Sequence, residues 1–77
     1  MTLQDIILGV ALLEFNNVFR ETTNKDNVRE WYRLEEEFYQ DHFNKSYYSL
    51  REYSVEAALH EGLLYLRCAR YCRNRLI

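Results

Sequence analysis

The stretch from Ile6 to Leu13 reads Ile-Ile-Leu-Gly-Val-Ala-Leu-Leu and is apolar on every side of a helix. In a chain of 77 residues this is the feature that most restricts the fold. A domain of this size buries only about 60–65% of the surface that its unfolded chain exposes. It can hardly wrap one helix on all sides. The run therefore predicts a helix with one face on the chain's own core and another left for a second copy or a partner.

Nothing else in the chain competes with that reading. There is no proline and there are two glycines, so the turn chemistry that would divide the chain into short strands is missing. Aromatic residues make up 16% of the sequence, seven of them tyrosine, which is too many for a disordered tail. The expectation is one all-α domain spanning 1–77, a small antiparallel three-helix bundle stabilised further by oligomerisation. Its helices are expected at about 2–21, 27–43 and 49–74.

Helix one has Thr2 as N-cap and Asp5 three residues on, the two members of a capping box. At 100° per residue its apolar positions divide into two stripes. Leu8, Ala11, Leu12, Phe15 and Phe19 run the full length and are assigned to the core. Leu3, Ile6, Val10 and Leu13 fade at Asn17 and Arg20 and are assigned to an interface. Helix two is expected to start at Asn27, boxed with Glu30, and to bury Val28, Trp31, Tyr32, Leu34, Phe38, Tyr39 and His42. Helix three has two candidate starts, a Ser49–Glu52 box and Ser54. It carries two apolar faces and so belongs at the centre of the packing. One face is Val55, Ala58, Leu59, Gly62, Leu66 and Ala69. The other is Tyr53, Ala57, Leu64, Cys68 and Tyr71, with Tyr65 and Cys72 at its edge. Gly62 with Ala58 and Ala69 forms a small-residue groove suited to close helix approach.

A net charge of −2 argues against general binding to nucleic-acid backbones. The charge is uneven: residues 67–75 hold Arg67, Arg70, Arg73 and Arg75 and no acid. Such cations complement a helix C-terminus. With the neighbouring tyrosines they also outline a patch, Tyr65, Arg67, Arg70, Tyr71 and Arg73, for an acidic partner or a small anionic ligand such as a signalling nucleotide. No Gly-rich phosphate loop accompanies them.

Glu14, Glu35 and Glu61 fall on otherwise apolar arcs, one per helix. A buried carboxylate is costly unless paired, so these three are the candidates for a metal-dependent helical enzyme. The pattern that such bundles repeat, Glu-x-x-His, is missing, and Glu56 and His60 are four apart. Cys68 and Cys72 share one helix, with His42 and His60 remote in sequence, which favours packed free thiols over a zinc site. No cofactor or metal is expected. The apolar run is shorter than the roughly 20 residues of a membrane span and has no basic leader before it, so a cytoplasmic location is expected.

These observations converge on a non-enzymatic protein-interaction module that self-associates and docks on another protein. Short, motif-poor and all-helical, the chain resembles in style phage and mobile-element proteins that inhibit or retune host machinery. That resemblance implies an inhibitor or regulator whose partner is a host protein.

Overall fold

The structure, a computed structural model, describes residues 1–42 and 54–76. Three helices account for nearly all of them: α1 (Leu3–Thr22), α2 (Val28–His42) and α3 (Val55–Leu76). There is no strand among the described residues.

Local chemistry sets the helix boundaries. At the start of α1 the Thr2 hydroxyl accepts from the Asp5 N–H at 3.2 Å, and the Asp5 carboxylate accepts from the Thr2 N–H at 3.3 Å. The anticipated box is formed. At the other end the Thr23 N–H donates to the Phe19 carbonyl at 2.9 Å, and the Thr23 hydroxyl donates to the same oxygen at 2.6 Å. An otherwise orphaned terminal carbonyl is thereby satisfied.

The start of α2 differs from expectation. Asn27 is boxed with Asn24, not with Glu30. Asn24 Oδ1 accepts from the N–H groups of Asp26 and Asn27 at 2.8 and 3.1 Å, while Asn27 Oδ1 accepts from the Asn24 N–H at 2.7 Å. Glu30 is turned instead toward Arg33, a turn further on. The guanidinium adds a full opposite charge and more than one donor, where the backbone N–H offers a single hydrogen bond. For α3 the second candidate start is the one used: Ser54 Oγ accepts from the Ala57 N–H at 3.2 Å. The Ser49–Glu52 pair and Tyr53 lie outside the described residues.

The core consists of Phe15 from α1, Trp31, Leu34 and Phe38 from α2, and Cys68, Ala69 and Cys72 from α3. Trp31 is its hub. Its ring meets Phe15 and Phe19 edge to face, with centroids 5.9 and 5.3 Å away, the arrangement that the ring quadrupoles favour. Cys72 Sγ lies 3.9 Å from the Trp31 carbonyl. Helix α3 touches both other helices extensively, as its two apolar faces required.

Gly62 is buried against α1. A Cβ placed there would lie 3.3 Å from Ala11 Cβ and 3.7 Å from Ile7 Cγ2, so the missing side chain is what brings the two helices together.

Several core assignments move. Leu12 is 40% exposed, and Tyr32, Val55 and Leu59 also face outward. Cys72, placed at an edge, is fully buried. Both cysteines are free. The adjoining Cys72 sulfur, and then burial, push the Cys68 thiol well above the ordinary thiol range. Three short helices enclose only the wedge where they meet, so an apolar arc as wide as that of α1 or α3 overflows it.

Candidate functional site: an apolar face on α1 and α3

Outside the Trp31 cluster, α1 and α3 leave apolar side chains exposed and flank an apolar groove. Leu3, Ile6, Val10 and Leu13 of α1 and Leu59 and Leu63 of α3 are between 47% and 62% exposed. Between the helices runs a groove of about 280 Å³, floored by Ala11 and Gly62 and walled by Ile7, Val10, Leu59, Leu63 and Leu66, with Glu14 at one end. Isolated exposed leucines are ordinary on a protein surface; a contiguous set around a groove is not.

Of the four α1 residues singled out from the sequence, Val10 lines this groove, Leu3 and Ile6 are exposed on the same helix, and Leu13 lines a separate depression with Asn16, Phe19 and Arg20. Two α3 residues join Val10 on the groove walls. Leu59 had been assigned inward, and Leu63 to neither face. The spacing Leu59, Leu63, Leu66 is itself a helical stripe (i, i+4, i+7), and drawing it as a third stripe on α3 would have found the wall of the groove.

Further along the same seam the surface turns polar. Glu14, Val18, Leu66, Ala69, Arg70 and Arg73 line a second depression of about 220 Å³. The arginine–tyrosine patch does not assemble as one site. Arg70 and Arg73 face this depression beside Glu14. Tyr65 turns inward, its ring 6.3 Å from that of Phe15 and its hydroxyl donating to Glu61 at 3.3 Å. Tyr71 faces α2, where its hydroxyl donates to Glu37 and its ring carries the Arg75 guanidinium 3.5 Å from the centroid. Arg67 is exposed. A 3.6-residue period carries side chains this close in sequence to three sides of the helix.

The three acids also separate. Glu14 is exposed at the groove's end, so its assignment as a buried acid does not stand. Glu35 and Glu61 are half-buried, and burial raises the pKa of each above the ordinary carboxyl value. The nearby Trp31 side chain opposes this at Glu35, and the hydrogen bond from the Tyr65 hydroxyl opposes it at Glu61. The Trp31 N–H is fully buried, with no partner at good hydrogen-bonding geometry among the described residues. Glu35, one turn on, is its electrostatic counterpart rather than a well-aligned acceptor. Burial, followed by the Glu35 charge, pushes the Tyr39 hydroxyl far up. His42 stacks on Phe38 with centroids 4.1 Å apart, its Nδ1 3.1 Å from the Phe38 carbonyl. Among the described residues no three His, Cys, Asp or Glu side chains converge as a ligand set, and no helix is long and apolar enough to cross a membrane. No protein family, curated protein or solved structure matches the chain.

Proposed function

We propose that this chain is a non-enzymatic protein-interaction module whose protein contacts are made through the α1–α3 face. The observation that carries this reading is the exposure of Val10, Leu59 and Leu63 on the walls of one apolar groove, with Leu3, Ile6 and Leu13 also exposed on α1. Leaving so much apolar surface in water is unfavourable unless something covers it.

The register between the helices supports an up-down-up order. Contacts between α1 and α3 rise together in number, from Ile7 and Ala11 on Gly62 to Val18 beside Ala69 and Arg73. Those between α2 and α3 run oppositely, with Trp31 at Cys72 and Tyr39 beside Cys68. The buried free thiols fit a reducing compartment such as the cytoplasm.

The test is affinity capture with wild-type chain and a Val10→Asp variant as baits. Val10 is mostly exposed, so the variant keeps its fold, which far-ultraviolet dichroism checks. A protein retained by the wild type and lost by the variant is the expected result. Equal recovery on both baits overturns the reading.

A further inference from the structure

Resting on that reading, we infer that the occupant of the α1–α3 face is a second copy of this chain, held antiparallel about a two-fold axis crossing the helices at the level of Leu8 and Glu61. The argument is one of symmetry. An isologous interface requires a surface complementary to itself after rotation, and with the axis in the interface and across the helices, α1 meets α1 and α3 meets α3 in opposite directions. On α1 the exposed strip is Leu3, Ile6, Val10 and Leu13, and the pairs Leu3/Leu13 and Ile6/Val10 are both centred on Leu8. On α3, Leu59 and Leu63 are centred on Glu61, and Glu56 and Arg67 on the bond that follows it.

With α1 and α3 running parallel, as the register supports, the two centres fall at one level. Gly62 sits between Ile7 and Ala11, and therefore level with Gly9. One residue earlier on each helix puts Glu61 level with Leu8. A single axis serves both helices.

Rotation about it lays Leu59 on the partner's Leu63 and Ile6 on the partner's Val10. At the outer edge of α3 it brings exposed Glu56 against the partner's Arg67, twice per dimer. Neither has an ion pair within its own chain among the described residues. Apolar pairs at the centre and charge pairs at the rim are the anatomy of a stable interface.

Sedimentation equilibrium tests this. The wild type is expected as a dimer, and Val10→Asp is expected to raise the dissociation constant by at least about 100-fold, since it sets two carboxylates beside apolar groups near the axis. Glu56→Lys and Arg67→Glu, measured separately, are each expected to weaken the dimer by about 3- to 10-fold through two like-charge contacts. Mixed in equal amounts they are expected to form a heterodimer of near wild-type affinity, because each charge then meets its opposite. Failure of the mixture to regain affinity overturns the proposed axis. A wild type that stays monomeric at every concentration overturns the dimer altogether. Should that monomer still retain another protein in a Val10-dependent way, the interaction reading stands without the dimer; should it retain nothing, both fall.

Discussion

Gly9 and Gly62 are the same residue type with opposite surroundings. A Cβ at Gly9 would meet nothing within 4 Å, so only the helix-propensity penalty remains there. Gly9→Ala is expected to raise stability by about 0.5–1 kcal/mol, seen as a higher urea midpoint at unchanged m-value. At Gly62 the same Cβ would press on Ala11, and a larger side chain would force the two helices apart. Gly62→Leu is expected to cost at least about 1–3 kcal/mol in the same measurement. Glu35 gives a pH prediction. Burial raises its folded-state pKa above the ordinary carboxyl value. The folded protein then holds this proton more tightly than the unfolded chain, so its contribution is present below the unfolded pKa and lost as pH rises through the raised folded value. Glu35→Gln is therefore expected to raise the melting temperature at pH 7 and leave it nearly unchanged at pH 4; an equal change at both would show that burial of the charge is not the cause. These environments were only partly legible in the sequence. An apolar arc suggests that Glu14, Glu35 and Glu61 are all buried, but the depth of each depends on which neighbour covers it.

At the scale of the element, the boundaries follow from short-range chemistry. Thr2 and Asp5 were legible as a box because both partners lie within one turn and nothing else competes for them. The start of α2 was not, because two boxes can be drawn on the same residues. Arg33 decided between them by drawing Glu30 away from Asn27, leaving Asn24 and Asn27 to cap each other. Asn27 also donates to the Thr22 carbonyl at 3.1 Å, tying α2 back to the end of α1. Asn27→Ala is expected to cost about 1–2 kcal/mol by denaturant unfolding, more than the roughly 0.5 kcal/mol or less expected of Glu30→Ala, whose ion pair is exposed. Reversal of that order would assign the start of α2 to Glu30 after all.

For the molecule as a whole, Trp31 is the reporter. It is the chain's one tryptophan, fully buried, and touches α1 through Phe15 and Phe19 and α3 through Cys72. Its fluorescence is expected to lose intensity and shift to the red in the same transition that removes helical dichroism, since no helix has a core of its own. Two separate transitions would mean that α2 unfolds from an α1–α3 pair that persists without it.

Periodicity and composition by themselves determined that the chain is helical, where α1 and α2 lie to within about a residue and α3 ends to within two, and that α3 is central. Those properties depend on neighbours along the chain: the 3.6-residue repeat, the capping side chains and the near absence of glycine and proline. They also determined that α1 carries more apolar surface than one face can bury. Only the tertiary structure decided which apolar residues stay outside. Exposure of Leu59 and Leu63 beside Val10 and the dispersal of the arginine patch both depend on the angle and register at which α1 meets α3. That register is set by the close contact of Gly62 with Ile7 and Ala11, between residues some fifty positions apart, and no local pattern encodes it.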